Sequence, residues 1–307
     1  MLRYGPRHTV IAGVGCRCQV SNGRMPSWSF RSLARRGIER LPFSLLYEVF
    51  YQSGRALGVK SYEVAGDGGT FIGPFNDQSI TKQYLRNRTV SPVIVKLFNA
   101  FFESRGGGTF YDLGANIGMV SVPVAQNARV SCVCFEPDPG NFALLRANVL
   151  LNCARKCRNH QRRGRAGAWT IAIRKKRLQL RRSSSVGGRI PDRGSRAVGR
   201  LHAQAMPLAV KIDCQGVEPS IINGGMKTLG KADLIVCGFW PWGMRRMGLS
   251  PEPILDFVSG DFPFAQVLRH DQPAGAPLRP EDAIGMLRKL IEDGGKYAQA
   301  DLVLTRK

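Results

Sequence analysis

Hydrophobic positions recur along the chain with two different periods. Apolar residues at helical spacing predict helices over 41–60, 90–102, 119–126, 141–152, 219–229, from 250 onward and over 280–293. Short apolar runs predict buried strands at 109–113, 130–135, 208–212, 233–239 and 301–305. Strands that alternate with helices are typical of an α/β fold with a mostly parallel, doubly wound sheet.

Local signals refine some of these boundaries. Ser91 and Pro92 have the residue types of a helix cap and a first helical position, and the run Ser250-Pro251-Glu252 repeats that pattern. Residues 68–88 predict short strands and turns around Phe71 and Phe75. Residues 240–248 predict a loop.

The overall charge points at first to a nucleic acid or an anionic membrane as partner. The 307 residues carry a net charge of +23, and such an excess is typical of proteins that bind polyanions. The excess is confined, however, to residues 1–40, with +7, and residues 152–205, with +15. Residues 41–151 carry +1 and residues 206–307 carry 0. The segments with foldable patterns are therefore neutral, and we do not expect a nucleic-acid partner for them.

The two basic segments lack a regular apolar pattern. We expect residues 1–40 to be a disordered tail, a transit-like leader, or sequence upstream of a start at Met25. Residues 153–205 interrupt the pattern of a domain that spans 41–307, in which 41–105 form an N-terminal extension. Codons for 156–163, translated one base later, can encode an apolar strand, so we interpret 153–205 as a shifted frame. The alternative is a genuine basic insertion that contacts nucleic acid or phospholipid.

Composition sets further limits. A hydrophobic fraction of 43% is enough for a core, and no segment has the ~20 apolar residues of a membrane span. The cysteines and histidines lack metal-ligand spacing, so we expect no metal. Cys132 and Cys134 share one face of a predicted buried strand as core thiols, which fits the cytoplasm.

Candidate chemistry lies where the predicted strands end, because ligands bind at the carboxyl ends of strands in such sheets. The first strand ends in Asp112-Leu-Gly114-Ala115-Asn116-Ile-Gly118, and the second ends at Glu136, 22 residues after Gly114. An acid at this distance is placed to accept both hydroxyls of a ribose. The turn lacks the third glycine of a dinucleotide site, and Asp112 disfavours a phosphate. This charge pattern favours S-adenosylmethionine, which is cationic, over NAD.

Three motifs in this order resemble the FkbM-type methyltransferases. They are Tyr111–Gly118, Phe135–Pro139 followed by Asn141 and Asn148, and Lys211–Pro219 followed by Gly224 and Gly225, and the resemblance covers about 68–152 and 206–307. It implies a Rossmann-like fold of the class I methyltransferase type, S-adenosylmethionine as methyl donor, and a hydroxyl of a sugar, polyketide or other small metabolite as acceptor.

The resemblance also implies roles for single residues. Asp112, Gly114, Ala115, Asn116 and Gly118 would surround the methionine part of the cofactor. Glu136 would hold the ribose, and Asp138 would lie near the adenine.

The acceptor side allows more than one interpretation. Asp213 is a candidate base or substrate-orienting group; alternatively, Asp213 and Glu218 cap and brace the following helix. Trp240 and Trp242 either line an acceptor pocket or pack as ordinary loop residues. Gly238 stands where the family commonly has Glu. Two other functions stay open: a nucleic-acid methyltransferase or RNA-binding protein that uses the basic segments, and an inactive methyltransferase-like protein.

Overall fold

The chain forms two structural units. The computed structural model describes residues 16–20, 23–24, 43–153, 159–161, 169–174, 177–182, 206–260, 262–269 and 275–306. These residues divide into Met1–Val90 and Ser91–Lys307. The described helices include none that is both long and apolar enough to cross a bilayer.

The first unit is a small antiparallel sheet with two helices. Its elements are β1 (Cys16–Val20), β2 (Gly23–Arg24), α1 (Phe43–Ala56), β3 (Ser61–Gly66), β4 (Gly69–Pro74) and α2 (Ile80–Asn87), with strand order β2-β1-β3-β4. Its core is aromatic: the Phe75 ring stacks on Tyr51 at 5.5 Å, lies tilted against Phe50 at 5.3 Å and forms an edge contact with Tyr62 at 5.8 Å. These contacts explain why the predicted strands around Phe71 and Phe75 form.

Two features of this unit differ from the prediction. Helix α2 replaces part of the expected turns, because Asp77 accepts hydrogen bonds from the backbone N–H groups of Ser79 and Thr81, both at 2.8 Å, at the start of the helix. Residues 16–20 and 23–24, expected to be disordered or a leader, are strands, because β1 pairs with the free edge of β3. The rest of 1–40 lies outside the described residues.

The second unit holds a nine-stranded sheet. Its elements are α3 (Pro92–Ser104), β5 (Gly108–Leu113), α4 (Ser121–Ala125), β6 (Val130–Glu136), α5 (Pro139–Cys153), β7 (Asn159–Gln161), β8 (Trp169–Arg174), β9 (Arg177–Arg182), β10 (Leu208–Ile212), α6 (Glu218–Leu229), β11 (Leu234–Phe239), α7 (Pro241–Arg246), α8 (Glu252–Val258), β12 (Phe264–Leu268), α9 (Pro280–Asp293) and β13 (Ala300–Thr305). The strand order is β12-β13-β11-β10-β5-β6-β8-β9-β7.

The middle of this sheet confirms the predicted doubly wound, mostly parallel architecture. Strands β11, β10, β5 and β6 are parallel neighbours, while β13 runs antiparallel between β11 and β12. The chain moves outward from β5 to β6 in one direction and through β10 to β11 in the other. The switch point, where such folds bind ligands, is therefore between β5 and β10.

Both faces of the sheet are covered, which explains the nearly continuous apolar strands. On β5, the Phe110 ring lies 4.5 Å from Phe98 of α3 on one face. The next residue, Tyr111, belongs to the core cluster of the other face, which includes Ile221 of α6 and Leu287 of α9. Alternate β5 side chains thus join two separate helical layers to one sheet.

Several boundaries differ from the prediction for physical reasons. The first unit ends at Val90, and Phe98 and Phe102 of α3 pack on Phe110 of the second unit's sheet, while the extension over 41–105 stays a prediction. Ser91 has φ 46 and makes no side-chain cap hydrogen bond. The expected loop at 240–248 contains α7, which begins at Pro241.

The described parts of the basic segment 153–205 include the three strands β7, β8 and β9. Strand β8 pairs antiparallel with β6, and β9 and β7 extend the sheet beyond it. The exposed edge of β6 offers the backbone groups that recruit β8. The described parts do not test the shifted-frame hypothesis, which stays a prediction, and the remainder of the segment lies outside the described residues.

Candidate functional site

Three loops converge where β5, β6 and β10 end. The Gly114 and Ala115 N–H groups donate to the carbonyl of Phe135 at 2.9 and 3.0 Å, and the Asp213 N–H donates to the carbonyl of Leu113 at 2.9 Å. Gly114 has φ +85, and a Cβ there would lie 2.0 Å from the Asp213 carbonyl oxygen. Only glycine allows this approach, which brings the loop after β10 against the turn after β5.

The rest of the turn is tied to neighbouring elements. Asn116 adopts φ 51, and its N–H donates to Oε2 of Glu136 at 2.8 Å. The buried Asn148 of α5 donates from Nδ2 to the carbonyl of Ile117 at 2.9 Å. Gly118, also at positive φ, packs on Leu145, where a Cβ would lie 2.8 Å from its Cδ1. The turn predicted from sequence is therefore a fixed cradle.

Glu136 lies at the end of β6, as predicted, and orders two backbone segments. Its Oε2 accepts from Asn116, and its Oε1 accepts from the Asp138 N–H at 2.9 Å. Burial raises the pKa of Glu136 above its usual value, while the two backbone N–H groups lower it. The Asp138 carboxylate accepts from the Asn141 N–H at 2.7 Å and so caps the start of α5.

A chain of charges runs across the switch point. Asp112 on β5 accepts a 2.5 Å hydrogen bond from the Ser121 hydroxyl through Oδ2. Its Oδ1 lies 3.5 Å from Nζ of Lys211 on β10, and that ammonium lies 3.2 Å from Oδ2 of Asp213. The Asp112 side chain is 1% exposed, whereas that of Asp213 is 44% exposed. Asp213 therefore presents the more exposed carboxylate, and the expected role of Asp112 near the methionine part of the cofactor stays a prediction.

Lys211 is buried in β10, and the sequence motifs predict no role for it. Burial alone would lower the pKa of Lys211, but the charges of Asp213 and Asp112 outweigh burial and raise it. The signal was present in the run Leu208-Ala-Val-Lys-Ile212, since a lysine inside a fully apolar strand needs a buried counterion.

Glu218 supports the loop that carries Asp213. Its carboxylate accepts the N–H groups of Cys214 at 2.7 Å and Gly216 at 2.9 Å. Burial raises the pKa of Glu218 to about 7, despite these hydrogen bonds. The bracing interpretation thus describes Glu218, while Asp213 points its carboxylate to Lys211 and to Nε2 of Gln215, 3.3 Å from Oδ1.

The end of β11 leaves space beside Asp213. A Cβ on Gly238 would have Oδ1 of Asp213 and the Ile212 carbonyl as its nearest neighbours, both at 3.6 Å, which is ordinary contact. A larger side chain at 238 would therefore start directly beside the Asp213 carboxylate. The glycine at this position leaves that space open.

The two tryptophans lie on the segment that follows β11. The Trp240 indole N–H donates to the carbonyl of Lys296 at 2.8 Å, and its ring packs so closely on Gly243 that a Cβ there would lie 2.1 Å away. The Trp242 ring is 5.2 Å from Trp240 and lies under the Arg246 guanidinium at 4.7 Å. Gly216 contacts Gly243 closely, so this segment borders the Asp213 loop. Trp240 is held by its hydrogen bond and by packing, and the Trp242 ring is also contacted by Lys296, whose Nζ lies 5.9 Å from the ring centroid.

Two further predictions concern the cysteines and possible metal ligands. Cys132 and Cys134 are buried thiols outside any disulfide, as predicted for core thiols. Across the part of the chain that the structure describes, no group of three or more His, Cys, Asp or Glu side chains could hold a metal ion.

Comparisons with known proteins give only distant likenesses. No family model matches the chain, and no curated protein matches it. Three solved structures illustrate the range of likenesses. An uncharacterized Listeria monocytogenes serotype 4b protein has TM-score 0.34 and 9% identity over 69% of this chain and 66% of its own length. Magnesium protoporphyrin IX methyltransferase from Synechocystis PCC 6803, with bound SAH, has TM-score 0.42 and 11% identity over 76% of this chain and 90% of its own length. Precorrin-6y C5,15-methyltransferase from Geobacter metallireducens GS-15 has TM-score 0.36 and 9% identity over 71% of this chain and 93% of its own length. The site geometry, not these likenesses, carries the functional assignment.

The close approach at Gly114 can be tested with a matched pair of variants. Gly106→Ala introduces a side chain at φ +72 with no atom within 4 Å, so we expect a loss of about 1–2 kcal/mol from backbone strain alone. Gly114→Ala adds the clash with Asp213 and should cost clearly more, or prevent folding. Urea unfolding measures both. Equal losses for the two variants would show that the two loops do not depend on this contact.

Glu218 should make stability depend on pH. Its native pKa of about 7 exceeds the usual 4.5, so folding takes up a proton between these values. The free energy of unfolding should therefore fall as pH rises through this window. Relative to Glu218→Gln, which does not titrate, the wild type should lose up to about 3 kcal/mol between pH 5 and 8. A difference that stays constant over this range would contradict the buried position of Glu218.

Proposed function

We propose that the chain is an S-adenosylmethionine-dependent methyltransferase that methylates a hydroxyl oxygen on a sugar, polyketide or other small metabolite. The observation that carries the proposal is the position of Glu136. It stands at the end of β6, beside the switch point, and its carboxylate orders the turn after β5 through Asn116. The FkbM-type motifs support the same assignment, since they lie on the three converging loops.

Glu136 fits a ribose. Each of its oxygens accepts one backbone N–H, and a carboxylate oxygen has a second lone pair available. Two vicinal hydroxyls can therefore donate to Glu136 without displacing the backbone donors. Asn116 at positive φ and Gly118 packed against Leu145 hold the adjoining turn beside Glu136.

The charge of the site favours a cationic ligand. Glu136 and Asp213 place negative charge at either side of the β5 turn, and Lys211 is buried beneath Asp213. A pyrophosphate would meet these carboxylates without an opposing exposed cation among the converging loops that the structure describes. S-adenosylmethionine, which carries an ammonium and a sulfonium and no phosphate, suits this arrangement.

The chain's own groups can align the acceptor. Bound S-adenosylmethionine supplies an electrophilic methyl group; the acceptor oxygen forms the new O–C bond as the C–S bond breaks and sulfur keeps the electron pair. Asp213 would accept the acceptor's O–H as a hydrogen bond, fix its direction and receive its proton. Lys211 holds the Asp213 carboxylate at 3.2 Å. The body of the acceptor would lie beside Gly238 and contact the Trp242 ring.

The proposal extends to location. Cys132, Cys134, Cys214 and Cys237 form no disulfide among the described residues. Free thiols are stable in a reducing compartment, and we therefore assign the enzyme to the cytoplasm.

Glu136 variants test the cofactor assignment. Loss of the two ribose hydrogen bonds, each worth ~1.5–3 kcal/mol to a charged acceptor, should weaken S-adenosylmethionine binding at least about a hundred-fold in Glu136→Ala. Glu136→Gln keeps the shape and should lose about ten-fold. Isothermal titration calorimetry gives the affinities, and urea unfolding verifies that the variants fold. The exposed Glu292→Ala serves as control and should bind normally. Wild-type affinity in Glu136→Ala would refute the ribose contact.

A further inference from the structure

We propose that Lys211 and Asp213 together make the site discriminate cationic S-adenosylmethionine from its neutral product, S-adenosylhomocysteine. Lys211 sets the charge of the crevice and Asp213 presents that charge to the ligand. This inference rests on the proposed function, and it assigns a specificity role to a residue pair whose geometry is independent of the acceptor.

The strand order determines which end of the cofactor meets Asp213. Glu136 ends β6, Gly114 follows β5, and Asp213 follows β10, in the spatial order β6-β5-β10. A nucleoside whose ribose binds Glu136 crosses the Gly114 turn and reaches the switch point with its 5′ substituent. In S-adenosylmethionine that substituent is the sulfonium, so Asp213 lies on the sulfur side.

The burial of the three charged groups determines what the ligand experiences. Asp112, Lys211 and Asp213 carry a net charge of −1 together, and Lys211 Nζ lies between the two carboxylates at 3.5 and 3.2 Å. Asp112 is enclosed and fully engaged with Ser121 and Lys211. The surplus negative charge is therefore on the half-exposed Asp213, which faces the crevice.

The positive charge of Lys211 offsets one of the two neighbouring carboxylates. Asp112 orders the start of α4 through the hydrogen bond that it accepts from the Ser121 hydroxyl. Without Lys211 two carboxylates would face each other across the switch point, and the local charge would be −2. The ammonium keeps Asp112 in place while it leaves one unit of charge for the ligand.

A single negative charge suits turnover. Methyl transfer converts the sulfonium to a neutral thioether, so the attraction to Asp213 is present for the donor and absent for the product. At the effective dielectric of a partly exposed site, one such contact corresponds to about a ten- to hundred-fold preference. Product release then follows from the reaction's own change in charge.

Calorimetry with both ligands on the full chain tests the inference. The wild type should bind S-adenosylmethionine at least about ten-fold more tightly than S-adenosylhomocysteine. Asp213→Asn removes the surplus charge and should reduce this ratio to near one, mainly by weakening S-adenosylmethionine. Asp256→Asn, an exposed acid on α8, is the matched control and should keep the wild-type ratio.

Lys211 variants provide the opposite change. Lys211→Met removes a positive charge and should raise the preference for S-adenosylmethionine over S-adenosylhomocysteine above the wild-type ratio. Lys211→Arg keeps the positive charge and should show the wild-type ratio. If Lys211→Met does not fold, Asp213→Asn and Lys211→Arg still decide the question. If Asp213→Asn leaves the affinity ratio unchanged, the inference is overturned while the proposed function stands. Failure of the folded wild type to bind either ligand overturns the proposed function and the inference with it.

Discussion

The buried ammonium of Lys211 lies between two carboxylates, and the arrangement of the whole site follows from that contact. It joins β5 to β10 at the point where the sheet reverses its winding, 3.5 Å from Asp112 and 3.2 Å from Asp213. Two carboxylates in so small a space would repel each other, and the ammonium between them offsets that repulsion. On the same edge, the backbone of Gly114 lies close to the Asp213 carbonyl because glycine has no Cβ.

From this edge the remaining loops are ordered by carboxylates that bind backbone N–H groups. Glu136 links the turn after β5 to the start of α5, and Glu218 links the loop after β10 to α6. Neither acid is exposed, and burial raises the pKa of both. The site thus consists of rigid backbone shaped by buried acids, with Asp213 as the accessible charge, which suits alignment of two reactants more than strong acid–base chemistry.

The sequence determined the parts of this picture that depend on periodicity and on strand ends. The strands at 109–113, 130–135 and 208–212 and the helix at 280–293 were predictable because apolar runs and caps are local signals. The role of Lys211 was not, because its partner Asp112 lies 99 residues away in the chain. Helix α2 was missed since its start is fixed by Asp77, outside the apolar pattern. Strand β8 pairs through backbone groups, which leave no period in an arginine-rich segment.

A crystal structure of the protein with S-adenosylhomocysteine would locate the ligand directly. We expect both ribose hydroxyls within hydrogen-bond distance of the Glu136 carboxylate and the sulfur at the switch point between β5 and β10, on the side of Asp213. A ligand bound elsewhere, or one whose ribose avoids Glu136 while its sulfur points away from Asp213, would contradict this expectation.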